Sequence, residues 1–242
     1  VAADTFQSGA LRVRFPRAAD TVPEAVILNT AGGLTGGDSL SVQIAVEPGA
    51  SALVATQACE KIYRASSGDV RLRTDIRLTD DAALDYLPQP TIVFNQARLH
   101  RETKVRLDEQ SRFLGLEAAI LGRTAMAEEF RDGALRDVWM VRRGSRLVFA
   151  DALMLTSRLD RPWALDQARA YANLVYAAPD AERRIDEMRE ILREASGLSA
   201  ASAWNGLLVT RFMARDYYAL MQNLAHVLRA FRRRPLPRLW AI

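Results

Sequence analysis

Alternation of apolar and polar residues dominates the first two-thirds of the chain. Leu11, Val13 and Phe15 alternate with Arg12 and Arg14; Val70, Leu72, Thr74, Ile76 and Leu78 alternate with Arg71, Arg73, Asp75 and Arg77. Period two puts successive side chains on opposite faces, so each run predicts a half-buried strand. The segments 25–29, 40–46, 52–56, 91–94, 98–107 and 112–117 continue the pattern. Turn signals separate them at Pro48-Gly49, Ser67-Gly68-Asp69, Asp80-Asp81 and Asp132-Gly133. Residues 135–141 and 146–155, joined by Arg142-Arg143-Gly144-Ser145, predict a hairpin. Residues 1–157 therefore read as all-β.

The period then lengthens. Ile185, Met188, Leu192 and Ala195 recur at helical spacing, with Asp180 as the expected cap and Gly197 as the stop. Tyr217, Leu220, Met221, Leu224, Val227, Leu228 and Phe231 form one face of a second helix, capped by Asp216 and ended by Pro235. A single strand, 207–212, is expected between them. With no fixed-period repeat, low-complexity segment or linker composition, residues 1–242 read as one domain: a β core over 1–157 and a mixed segment with two helices over 158–242.

Composition narrows the classes. The 242 residues are 49% hydrophobic and 26% charged, an ordinary globular balance that excludes a disordered or collagen-like chain. No run approaches a membrane span, and Val1 to Phe6 lack the layout of a signal peptide. One cysteine, Cys59, cannot form an internal disulfide, as expected of a cytoplasmic protein. The net charge of +4 raises the question of nucleic acid. The arginines, however, are scattered among carboxylates, except for Arg229, Arg232, Arg233, Arg234 and Arg238. That cluster is expected to be a solvated helix end and partner surface.

The chemistry-bearing residues are few. Gly32-Gly33-Leu34-Thr35-Gly36-Gly37-Asp38 has the glycine spacing of a phosphate loop, but Asp38 stands where the lysine must be and a strand follows. Four glycines in so short a stretch predict close backbone packing or a partner contact. His100 and His226 are the only histidines, so with one cysteine a tetrahedral Cys/His metal site is not expected. Three acids lie in apolar strand contexts: Asp38, Glu117 and Asp151. A buried carboxylate is costly unless paired, so each either meets an arginine or serves a function. Paired carboxylates in an all-β chain also admit a carbohydrate-active hydrolase, and the arginine cluster admits a nucleic-acid module. There is no serine elbow or dinucleotide fingerprint.

Five blocks then resemble one family. Asn29-Thr30-Ala31-Gly32-Gly33-Leu34-Thr35-Gly36-Gly37-Asp38 looks like the signature of the UreD (UreH) urease accessory proteins. Thr56-Gln57-Ala58 with Lys61-Ile62-Tyr63-Arg64 is similar to the second block, and the run Tyr86 to Phe94, which contains Gln89, to the third. Leu121-Gly122-Arg123 with Glu128 resembles the fourth, and Leu236-Pro237-Arg238-Leu239-Trp240 the fifth. There are two departures: Ala127 replaces the Gly usual before Glu128, and the segment preceding Phe6 is shorter than the family's N-terminal strands.

The resemblance implies a β-helical, stacked-strand core with about two C-terminal helices, and a maturation scaffold in nitrogen metabolism rather than an enzyme. Its implied partners are UreF directly, the GTPase UreG through UreF, and apo-urease, in an assembly with two copies of each accessory subunit. It implies no tightly bound cofactor: nickel would be in transit through an interior passage, and GTP would belong to UreG. Asp38, Glu117 and Asp151 are the acids the resemblance assigns to that passage. Gly32, Gly33, Gly36, Gly37, Gln57, Tyr63, Arg64, Gln89, Arg123, Glu128, Arg238 and Trp240 become candidate motif or partner contacts. Neither nucleic acid nor membrane is an expected partner. The alternative is a β-helical carbohydrate-active hydrolase.

Overall fold

From β2 to β11 the chain passes back and forth between two facing sheets, laying each strand beside the one a turn earlier. The computed structural model describes residues 4–17, 22–123, 126, 128–156, 165 and 167–240; Ala127 and the start of the mixed segment, 158–164, lie outside them. In the first sheet β2 (Glu24–Asn29), β4 (Ser51–Thr56), β7 (Ala83–Leu87) and β10 (Arg112–Leu121) are parallel neighbours. In the second, β3 (Ser39–Val46), β6 (Val70–Leu78), β9 (Arg98–Leu107) and β11 (Ala134–Arg143) are likewise parallel. The result is a two-sheet solenoid, mainly strand, as the resemblance implied.

One side of each turn is uniform. The corners 47–50, 79–82 and 108–111 have equal length and stack on one another, with Gly49 N donating to Asp80 O at 2.7 Å. The other side differs from turn to turn, and there the short strands β5 (Glu60–Ile62) and β8 (Thr91–Val93) are added. That unequal side explains why no fixed period shows in the sequence.

The first sheet continues by antiparallel pairing through β13 (Ala170–Ala177), β15 (Leu207–Ala214) and β14 (Leu198–Trp204), while β1 (Leu11–Arg14) pairs with β2. The second ends on β12 (Arg146–Thr156), which forms the expected hairpin with β11. Between the two helices the structure has a hairpin, β14–β15, rather than a single strand. In β14, Leu198-Ser-Ala-Ala-Ser-Ala-Trp204, small residues hide the alternation.

The helices Ile185–Glu194 and Tyr217–Arg232 cover the outer face of the first sheet. Leu220, Leu224, Leu228 and Phe231 pack with Leu114, Leu116, Ala118, Leu174 and Phe212. Both faces of β10 and β13 are therefore buried, and their sequences lose the two-residue period. Asp216 caps the long helix as expected, its Oδ1 accepting Ala219 N–H at 2.8 Å. Asp180 does not cap the short one: Tyr176 OH donates to its Oδ1 at 2.7 Å, and the helix is entered through a 3₁₀ turn, Glu182–Arg184. Arg232 ties the end of the long helix to Asp85 on β7 at 2.8 Å.

Candidate functional site

The motif blocks converge on two places. On the surface, Leu34 N donates to Lys61 O at 2.8 Å and Tyr63 N to Leu34 O at 2.7 Å, joining the first block to the second. Tyr63 OH reaches Gly32 O, and its ring lies against Gly33, where a Cβ would come within 2.4 Å of the ring. Gly36 is tighter: a Cβ there would sit 2.1 Å from Ser67 O. Backbone approach, not phosphate, explains these two glycines. Tyr63 meets Phe94 edge-on at 5.0 Å; Arg123 stacks over Phe94 at 4.4 Å and pairs with Glu128 at 2.6 Å. Arg64 is exposed, its carbonyl accepting Thr35 Oγ1–H. At the second place, Gln89 Nε2 donates to Leu239 O at 2.7 Å and buried Trp240 Nε1 to Leu87 O at 3.0 Å, docking the closing motif on the third block. Arg238 points to solvent.

Between the sheets lies a feature that no single motif announced. The inner positions of β6, β9, β10, β11, β13 and β15 run apolar, polar, apolar: Thr74, Arg101 with Thr103, Glu117, Asp137, Asn173 and Arg211 fall between two apolar clusters. They form a polar stratum across the solenoid. Glu117, Asn173 and Arg211 stand in register on three adjoining strands. Facing them, Thr103, Trp139 and Asp151 do the same.

Ion pairs make the stratum tolerable, since an unpaired buried charge is strongly unfavourable. Arg101 donates Nε and Nη2 to Asp137 at 3.0 and 2.6 Å, and its Nη1 lies 2.9 Å from Glu117. Nη1 also donates to Thr91 Oγ1 and Ala118 O, both at 3.2 Å. Thr103 donates to Glu117, and Tyr171 OH to Asp137, each at 3.0 Å. Two carboxylates thus share one guanidinium, and Asp137 takes its fork. Burial pushes the Glu117 carboxyl up to about 7, with Asp137 reinforcing the rise and Arg101 opposing it. Burial also raises the Tyr86 phenol nearby.

A cavity of about 220 Å³ leads into this stratum. It starts at exposed Gly32 and Gln57 beside β2 and ends on Arg101 and Glu117. Asn29 and Glu60 line its outer part, Asn29 Nδ2 donating to both Glu60 oxygens at 3.1 and 3.0 Å. Burial raises the Glu60 carboxyl and the Cys59 thiol in the same wall.

The three acids singled out from sequence occupy different settings. Glu117 is at the cavity floor. Asp151, a fifth exposed, pairs with Arg211 at 2.8 Å at the far edge of the same stratum. Asp38 is exposed in the glycine turn, accepting Thr35 N–H at 2.8 Å, and is not in the cavity wall. The first two meet arginines; Asp38 caps a turn instead of lying buried. Sequence reasoning missed Arg101, Asp137, Asn173 and Arg211. A polar residue at the inner register of strand after strand was their signal. Among the described residues no group of three His, Cys, Asp or Glu is placed to hold a metal ion, and no helix is long and apolar enough to cross a membrane. In the C-terminal arginine cluster, Arg232 and Arg233 pair with Asp85 and Glu187, which divides the expected basic surface.

The fold and its interior define a two-sheet solenoid with a buried charged stratum and a cavity that opens onto it. The family model described as UreD urease accessory protein matches residues 1–241. The urease accessory protein UreD of Azorhizobium caulinodans is 43% identical over 243 residues, covering 99% of this chain and 90% of that protein. Its counterpart in Xanthobacter autotrophicus is 44% identical, covering 98% and 83%, and that of Rhizobium leguminosarum bv. trifolii 42%, covering 98% and 88%. The chain belongs to the UreD family of urease accessory proteins.

Proposed function

We propose that this chain acts in urease maturation as a cytoplasmic scaffold that conducts nickel to the apoenzyme. It binds UreF directly and UreG through UreF, in an assembly with two copies of each subunit, and GTP hydrolysis belongs to UreG. The observation that carries the reading is the cavity running from Gly32 and Gln57 to Glu117, continued by the polar stratum toward Asp151. Oxygen donors spaced along a path suit a transported cation, because each holds a borderline ion weakly and none cages it. The exposed faces of Tyr63, Arg64, Arg123 and Arg238 supply side chains for partners.

The test is urease activation from apo-urease, UreF, UreG, nickel, bicarbonate and GTP, with and without this chain. Activity that depends on the chain is the expected result. Equal activity in both mixtures would overturn the proposal.

A further inference from the structure

We propose that Arg101 and Arg211 are displaceable counter-ions that keep the interior carboxylates from trapping a divalent cation, so that each acid accepts the ion only by releasing its arginine. The inference rests on the nickel-route reading above and specifies how that route is regulated.

Each interior acid of the stratum is occupied by a guanidinium: Glu117 and Asp137 by Arg101, Asp151 by Arg211. A cation arriving at either place competes with a charge already bound. Without the arginines, Glu117 and Asp137 would confront each other in a buried setting, and such a pair would hold a divalent ion tightly. A route needs the opposite, binding that is weak at every stop.

The two clamps are built for release in different ways. Arg101 is 3% exposed and cannot swing out. It can let go of Glu117 alone, because Asp137 holds its Nε and Nη2 while Thr91 Oγ1 and Ala118 O still accept from Nη1. Glu117 keeps the Thr103 hydroxyl throughout. Arg211 has a side chain 59% exposed and can rotate into solvent, freeing Asp151 outright. Between the two lies Trp139, 1% exposed, whose Nε1–H has no acceptor among the described residues. A buried donor without a partner is costly, and an oxygen carried in with a hydrated ion would satisfy it.

Equilibrium dialysis of nickel chloride against the purified chain tests this. Arg211→Gln is expected to bind nickel about tenfold more tightly than the wild type, the ratio that ~1.4 kcal/mol gives. Adding Asp151→Asn to that variant should return affinity to the wild-type value or below. Arg101→Lys keeps a charge but loses the fork; its melting temperature should rise with nickel where the wild type's does not. Should Arg101→Lys fail to fold, the Arg211 pair of variants still decides. Unchanged nickel affinity in Arg211→Gln, or tight binding that survives Asp151→Asn, overturns the proposal. Urease activation by the wild-type chain reads the maturation role separately, so a working activator with unaltered Arg211→Gln affinity would sink the clamp and leave the role standing.

Discussion

Arg101 commits two of its guanidinium nitrogens to Asp137 and offers only the third to Glu117. The two acids are therefore unequal, although both lie buried beside the same cation. Removing Asp137 strands Arg101 without its main partner. Asp137→Ala is expected to cost about 3–5 kcal/mol, the range for breaking a buried pair. Glu117→Gln, which still accepts from Thr103 and Arg101, should cost about 1 kcal/mol. Urea unfolding of the two variants checks the order; equal losses would refute it.

Glu117 also sets a pH dependence. Its carboxyl is raised from 4.5 to about 7 by burial, so between those values the folded chain holds a proton that the unfolded chain has released. Stability contributed by this group is full at low pH and is lost as pH rises through about 7. The wild type should unfold at a lower urea concentration at pH 8 than Glu117→Gln does, relative to each protein's midpoint at pH 5. The same drop in both would show that Glu117 is not the titrating group.

The glycine turn separates two kinds of constraint. Gly36→Ala forces a Cβ to within 2.1 Å of the Ser67 carbonyl oxygen, and backbone must move. Gly32→Ala meets nothing within 4 Å and suffers only its positive φ of 76°, a strain of about 1–2 kcal/mol. Thermal melts followed by circular dichroism should rank Gly36→Ala well below Gly32→Ala. The reverse order would contradict the packing described for this turn.

At Asp38, stability and transport can be read apart. Asp38→Asn retains an oxygen to accept Thr35 N–H and loses the charge. The melting temperature should stay within a degree or two of wild type, since the hydrogen bond at stake is worth about 1 kcal/mol. The resemblance assigns Asp38 to the nickel passage although it lies outside the cavity wall; on that assignment, nickel content of urease matured with this variant should fall while UreF capture persists. Full nickel content would remove Asp38 from the route.

Trp240 and Gln89 seal the helical layer against β7. Trp240→Ala empties a fully buried indole site and removes its bond to Leu87 O, with an expected loss of about 3–5 kcal/mol. Calorimetry or urea titration measures it; a loss below about 1 kcal/mol would mean the closing motif is not docked as described.

Strands with one wet face were legible in the sequence because burial there alternates, as in β6 and β9. Elements without that alternation were not: β13, Ala170–Ala177, is buried on both faces and apolar but for Asn173, and β14, half-exposed, is built mainly of alanine and serine. The candidate site was legible only in part. Glu117 and Asp151 stood out as acids in apolar strands, yet their arginines did not, because Arg101 and Arg211 lie 16 and 60 residues away in a chain rich in arginine. Pairing across sheets is a property of register, which a single strand does not carry. Asp38 looked similar on paper, but its neighbours are turn glycines, and a turn sits at the surface.

The stacked corners have a bearing on how the chain is made. Each solenoid turn pairs with one synthesised some thirty residues earlier, as Leu40 does with Leu72 and Leu72 with Arg101, so successive turns can lock in the order they leave the ribosome. The outer face of the first sheet has no such early partner. Its cover arrives with Arg232 and Trp240, which reach back 147 and 153 residues to Asp85 and Leu87. Until then Leu114, Leu116 and Leu174 face water on a nascent chain whose interior is already complete, and that interval is when it is most exposed to aggregation.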